Sequence, residues 1–315
     1  MRSQEETRNG SGAARMKKRA VFLVLHYLAE PTTRKCVKTL LEGFPPEKCD
    51  TAVVIADNAS PDGSGARLAA AFGDREGVHV LQLPENFGYA EGNNEACRFA
   101  RERYDADLIV ALNNDVLIRD PAFLERTEEI FLRTGFAVLG PDVRNPVTGS
   151  HESPIHTDLL TEEFVRRRRR QFQRENQRFF LYYYAERPIR KAAARMRWGA
   201  WPGRSWQEPL EGAVLQGSCL VFSRMFFAKK QNLFRSGTFL YFEEDILALE
   251  CARAGLKTVY TPELYVEHLR DRSVAADLPS KYMREKRKHR ELERSMGVFL
   301  EVCAEETGSA GGGAP

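Results

Sequence analysis

Residues 108–112, Leu-Ile-Val-Ala-Leu, form an unbroken apolar run that stops abruptly at Asn113, Asn114 and Asp115. Such a run, with no polar alternation, reads as a strand buried on both faces, the pattern of a parallel sheet. That reading constrains the rest of the chain. Parallel strands need crossover connections, usually helices, and their carboxyl ends open onto the crevice where ligands bind. Asp115 is therefore expected at a ligand site, within reach of a substrate or a cation.

The flanking sequence fits this architecture. Strand signals at 20–27, 51–56, 78–83, 107–112 and 136–139 alternate with helical stretches, the first at 32–42, and predict an α/β fold. Residues 57–65 follow the second strand with small, turn-forming side chains that let backbone amides approach a ligand. They lack the spacing of a dinucleotide-binding turn and of a P-loop. A second loop, 84–94, leaves the third strand and runs into a helix containing 95–103. Its Asn and Gly residues tolerate left-handed backbone, and the amides offer donors and acceptors to a sugar or base. Each loop alone reads first as an ordinary Asx-stabilised turn.

Composition narrows what Asp115 can do. The 315 residues carry a net charge of only +3, so any basic surface must be local. No segment approaches the roughly 20 apolar residues of a membrane-spanning helix. Residues 1–19 are polar and basic without an apolar secretory core, and are expected to be a disordered tail. Six singly spaced cysteines suit a reducing compartment, which makes a cytoplasmic location the expectation.

Three loops in succession at strand ends make a pattern. Residues 57–64, 86–94 and 112–116, followed in order by 217–224, 241–245, 253–256 and 262–268, resemble the family 2 glycosyltransferases across about 20–273. The likeness is to the rhamnosyltransferase-like members of polysaccharide biosynthesis. It implies a GT-A fold, a Rossmann-like mixed and mainly parallel sheet flanked by helices. It also implies a nucleotide-sugar donor held by Tyr27, Asp57, Asn58, Asn86, Gly88, Asn93, Asn114 and Asp115. Asp57 would accept the imide hydrogen of uracil or thymine, since a carboxylate only accepts. Tyr27 would flank the base, although a lone Tyr there is more often core packing. His26 reads as a satisfied, half-buried histidine.

Breaking the bond between anomeric carbon and phosphate leaves negative charge on the diphosphate, which Mn2+ or Mg2+ neutralises using one or two protein carboxylates. The resemblance assigns that ion to Asp115 and His268. Asn113 stands where many relatives carry a first carboxylate, so Asp115 must be the principal anionic ligand. The attacking acceptor hydroxyl needs a general base. The cluster Glu243-Glu244-Asp245 offers one, with Asp245 first and Glu244 second, because counting back from Gly255 favours the latter and matching the Glu-Asp pair the former. Acidic residues in a first helical turn are also ordinary capping. The following Ile246-Leu247-Ala248-Leu249-Glu250 lacks a second Asp and an Arg usual in the family.

Between 161 and 206 the chain is most individual, a variable insertion. Arg166 to Arg170 precede Phe172, Phe179, Phe180, Leu181 and Tyr182 to Tyr184, then Arg187, Arg190, Lys191, Arg195, Arg197, Trp198 and Trp201. Arginine among aromatics suggests a lipid-linked acceptor or the anionic inner leaflet, which would make the protein peripheral at that membrane face. RNA is the rival partner and is not expected; a solvated helical insertion is the plain alternative. Residues 274–303 should form a C-terminal helical segment with mixed charges, and 304–315 a disordered tail. The expected activity is inverting transfer from a UDP- or dTDP-sugar to a saccharide acceptor in cell-surface polysaccharide assembly. The alternatives are sugar-nucleotidyl transfer and a non-catalytic sugar-nucleotide or polysaccharide-binding module.

Overall fold

The computed structural model describes residues 16–189, 206–270 and 280–309. Four parallel strands build its first half: β1 (Met16–His26), β2 (Thr51–Asp57), β3 (Val78–Gln82) and β4 (Tyr104–Asn113), in spatial order β3-β2-β1-β4. Their connections are the helices α1 (Glu30–Gly43), α2 (Ser64–Phe72) and α3 (Gly88–Arg103). Alternate β1 residues serve opposite faces. Phe22 and Val24 pack with Val37, Leu40 and Leu68 of α1 and α2, while Val21 and Leu23 share a cluster with Ala96, Cys97 and Ala100 of α3. With both faces covered, every β2 side chain is buried. The continuous apolar strands of the sequence follow from that double burial.

Beyond β4 the sheet is mixed. The two-residue strand β5 (Val116–Leu117) is followed by helix α4 (Phe123–Thr134), then β6 (Val138–Arg144), β7 (Leu210–Glu211), β8 (Cys219–Ser223) and β9 (Thr258–His268). β8 inserts antiparallel between β4 and β6, and β9 runs parallel to β6. β5 turns back against the end of β9, pairing Val116 with His268. This pairing draws two distant segments together at one edge.

Several boundaries differ from expectation. β1 begins at Met16, inside the expected tail, because its first residues pair with the start of β4. α3 contains 95–103 as expected but begins already at Gly88, so much of the second loop, 84–94, is helix. The C-terminal helix, Lys281–Ser309, runs past residue 303. Its inner side packs on α5 (Glu162–Gln177) and on the helix Glu243–Arg253 through Val165, Phe172, Ile246, Met296 and Phe299. The basic insertion is thus helical where described, with α5 followed by a short helix at Phe179–Leu181 and a π-helical turn at Tyr182–Glu186. Arg190, Lys191, Arg195, Arg197, Trp198 and Trp201 lie outside the described residues. All six cysteines are free.

Candidate active site

The carboxyl ends of the parallel strands open onto a cavity of about 710 Å³. Tyr27, Asn58, Asn86, Gly88, Asn114, Asp115 and His268 line it, so seven of the residues expected from sequence meet there. Asp115 stands two residues past the end of β4, and β5 turns the chain back so that Leu269 donates its amide to the Asp115 carbonyl at 2.9 Å. Asp115 Oδ1 then lies 3.3 Å from His268 Nε2. The imidazole's other nitrogen, Nδ1, contacts Glu152 Oε2 at 2.8 Å, and Arg270 Nε donates to Glu152 Oε1 at 2.6 Å. Burial alone would lower the His268 pKa, but the carboxylates on either side outweigh it and raise it. Glu152 shows the converse balance: burial opposes its charge, yet Arg270 and His268 hold its pKa down.

This donor set fits a divalent cation. One carboxylate and one imidazole face the cavity, and a second carboxylate orients the imidazole from behind, the arrangement that fixes a metal-binding histidine. Among the described residues no further His, Cys, Asp or Glu joins the pair to complete a protein-only site. Two protein ligands suffice for Mn2+ or Mg2+ where substrate phosphates and water supply the rest.

Much of the second loop is scaffold. Asn58 holds it from both sides, donating to the Gly88 carbonyl at 2.9 Å and accepting from the Phe87 amide at 2.9 Å. Asn86 Oδ1 accepts from the Gly88 amide at 3.0 Å. Asn93 is 1 % exposed within α3 and donates to the Tyr89 carbonyl at 2.8 Å, so the early helix start turns an expected ligand contact into an internal bond. Asn94 pairs both its amide groups with the Phe234 backbone. Gly88 has φ +80°, and a Cβ there would collide with the Phe239 carbonyl oxygen, which accepts the Tyr89 amide. Gly88→Ala should therefore cost about 2 kcal/mol or more in unfolding free energy, measured by denaturant melts.

Asp57 is not among the cavity-lining residues. Its Oδ1 accepts from the Ser60 amide at 3.2 Å, and its other oxygen packs against Gly65 in the first turn of α2. His26 is fully buried rather than half-buried, bonded to Thr33 and Ser64, and burial lowers its pKa. Asn114 donates to the same Thr33 hydroxyl at 2.9 Å. A bonded chain thus runs from α2 to the strand end beside Asp115.

The acidic cluster occupies the first turn of the helix Glu243–Arg253, with no side-chain cap. Tyr241 and Phe242 before it both adopt left-handed backbone, φ +72° and +75°, a strain that non-glycine residues rarely bear twice in succession. Phe239, Leu240 and Tyr241 line the cavity; Glu244 and Asp245 do not. Glu244 accepts from the Gly217 amide at 3.2 Å, and the Gly217 carbonyl accepts from the Tyr89 hydroxyl on the cavity wall at 2.6 Å. Asp245 is 7 % exposed, its Oδ1 lacks a hydrogen-bond partner, and His156 Nε2 stands 3.9 Å away. Burial and then the neighbouring Glu244 charge push the Asp245 carboxyl up to about 7, and burial with Glu244 pushes Glu243 to about 8. Burial raises Glu244 as well. Carboxyls held this high are strong proton acceptors once ionised.

Glu152, Arg270 and Arg287 were not expected from sequence. Arg270 could have been noticed two residues after His268, but nothing local marks Glu152. Arg287 lines the cavity from the C-terminal helix, a segment whose mixed charges read as a solvated face. A second cavity of about 570 Å³ adjoins the first, sharing Asn145, Thr148 and Arg270, and adds His151, Ile155 and Gln216.

The sequence model described as Glycosyl transferase family 2 matches residues 22–196, more than half of the chain. No curated protein matches it. Among solved structures, the mannosyltransferase PcManGT from Pyrobaculum calidifontis, in complex with GDP-Man and Mn2+, superposes with a TM-score of 0.51 at 14% identity, covering 95% of this chain and 77% of that one. S. aureus TarS residues 1–349 give a TM-score of 0.51 at 10% identity over 94% of this chain and 75% of that one. Against a longer TarS chain the TM-score is 0.50 at 12% identity, with 79% of this chain covered and only 36% of that one. At these identities the likeness speaks to fold.

Proposed function

Since the chain belongs to glycosyl transferase family 2 and has the GT-A fold, it is a glycosyltransferase, and we propose that it transfers a sugar from a nucleoside diphosphate donor with inversion at the anomeric carbon. The observation that carries this reading is the Asp115–His268 pair on the cavity wall, braced by Glu152. Mn2+ or Mg2+ bound there would offset the charge that develops on the departing diphosphate. Asp115 supplies the anionic ligand and His268 the imidazole. Tyr27, Asn58, Asn86, Gly88 and Asn114 shape the donor pocket around them. Asp245 takes the acceptor proton, because it keeps an uncommitted buried oxygen whereas the Glu244 carboxylate is engaged by Gly217.

The donor is read as a UDP- or dTDP-sugar, a preference resting on Asp57. The acceptor is a saccharide, free or lipid-linked, in cell-surface polysaccharide assembly. The second cavity, beside the first and next to Gly217, offers it a polar place. The protein would work in the cytoplasm, peripheral at the inner membrane face, and nucleic acid is not a partner. Among the described residues no helix is long and apolar enough to cross a membrane.

A thermal-shift screen of UDP, dTDP and GDP with and without Mn2+ tests the reading, since a ligand binding only the native state raises its apparent stability. A metal-dependent shift with one base is expected, and UDP or dTDP should exceed GDP. Silence toward every nucleotide would sink the proposal. Donor hydrolysis or transfer by the wild type distinguishes an enzyme from a binding module. Arg287→Ala should weaken diphosphate binding about tenfold while leaving the nucleoside unaffected, because a cation on the wall contributes only to the charged part. Titrating UDP and uridine against the variant checks this.

A further inference from the structure

Large apolar side chains are exposed most densely on the insertion. Phe180 is 70% exposed, Tyr184 59% and Ile189 70%, with Leu181 beside them. They stand on a built base: Phe179 is buried against Tyr182, Tyr183, Tyr282 and His289, and Arg187 ties the turn to Glu285 at 2.8 Å. The exposed rings form a continuous surface, Phe180 to Tyr184 at 4.8 Å and Tyr184 stacked on Tyr282 of the C-terminal helix at 5.9 Å. Met283, 44% exposed, extends it. One helical turn further, at i+4, Arg287 lines the donor cavity. The helix that carries Tyr282 and Met283 thus also reaches the cavity wall.

A cationic stripe lies on α5, the helix that precedes Phe180 in the chain. Arg167, Arg170 and Arg174 are exposed on α5 at i, i+3 and i+7 and border a shallow groove with Gln173 and Gln177. Among the described residues no carboxylate pairs with any of these three, whereas Arg166 is paired with Glu162 and Arg187 with Glu285. Arginines without a carboxylate partner, on the helix that leads into the exposed rings and aliphatic chains, suit a surface that is anionic outside and apolar beneath. Single-stranded nucleic acid would use the arginines and rings, but it has no place for Leu181, Ile189 and Met283.

We propose that this face, Phe180, Leu181, Tyr184, Ile189 and Met283 together with the α5 arginines, docks on a lipid bilayer carrying anionic headgroups, with the donor cavity beside the contact. The rings and aliphatic chains enter the headgroup boundary, and the guanidinium groups meet lipid phosphates. Docking itself stands apart from the transferase reading; only its purpose, bringing a lipid-linked acceptor to the cavity mouth, rests on it.

The test is co-sedimentation of the full chain with phosphatidylcholine vesicles and with vesicles containing phosphatidylglycerol. Binding should require the anionic lipid and weaken with added salt. It should fall about tenfold in Phe180→Ser/Tyr184→Ser and again in Arg167→Gln/Arg170→Gln/Arg174→Gln. Both variants should keep the wild-type melting temperature and UDP response. Should the serine variant lose its melting transition, the arginine variant and the salt series, which leave the aromatic base intact, carry the test. Equal binding to neutral vesicles, no binding, unchanged binding in the arginine variant, or stronger binding to polyuridylate than to vesicles would each overturn the proposal. A missing UDP response with intact vesicle binding would count against the donor site alone.

Discussion

Asp115→Ala is expected to lower metal-dependent transfer about a thousandfold, the equivalent of roughly 4 kcal/mol of transition-state stabilisation. Among the described residues Asp115 is the one acidic residue lining the larger cavity, and its Oδ1 lies 3.3 Å from His268 Nε2. Its neighbours cannot stand in. Asn113 and Asn114 are uncharged, and the Asn114 amide is already committed to Thr33. The fold should tolerate the change, because the Asp115 backbone is held by the Leu269 amide and by β5–β9 pairing, neither of which uses the side chain. A Mn2+ titration of transfer rate checks the loss, with melting temperature as the control. Asp115→Asn isolates the charge, since it keeps shape and removes only the anion. Retained metal-dependent turnover in either variant would overturn the assignment.

The legible part of this molecule is the part written in local pattern. Positions 108–112 announce a doubly covered strand because every side chain is apolar, and β4 occupies that place. Motif order pairs Asp115 with His268, and β5–β9 pairing is the physical means by which residues so far apart meet. What escaped notice depends on tertiary contact. The antiparallel β8 is buried at every position and so carries the same continuous apolar mark as its parallel neighbours, which report burial on both faces and not direction. The start of α3 at Gly88 was hidden by turn-forming residues, and Asn93 and Asn94 suit a helix here only because Tyr89 and Phe234 backbone groups absorb their amides. Glu152 and Arg287 enter the site from segments whose own sequence suggests only a loop and a solvated helix. Asp57 shows how a local bond can coexist with a proposed ligand role. A carboxylate at a strand end invites a ligand role, and the loop that follows it supplies a hydrogen bond.

Asp245→Asn should reduce transfer by about a thousandfold and abolish the acid limb of the pH–rate profile. A general base works only when ionised. With its carboxyl pushed up to about 7 by burial and by Glu244, the wild-type rate should climb as pH passes through 7 and level off above. Glu244→Gln provides the second half of the test. The amide oxygen can still accept from Gly217, so the structure is kept while a like charge disappears, and the acid limb should move to lower pH with a smaller change in maximal rate. Stability must move in the opposite sense. A carboxyl whose folded pKa lies above its unfolded value stabilises the native state at low pH, and that contribution is lost as pH rises through the folded value. The melting temperature of the wild type should therefore fall between about pH 4 and pH 8. Asp245→Asn should flatten that fall, because one of the raised groups no longer titrates. An unchanged acid limb in Asp245→Asn, or a dead Glu244→Gln with an active Asp245→Asn, would transfer the proton-accepting role to Glu244.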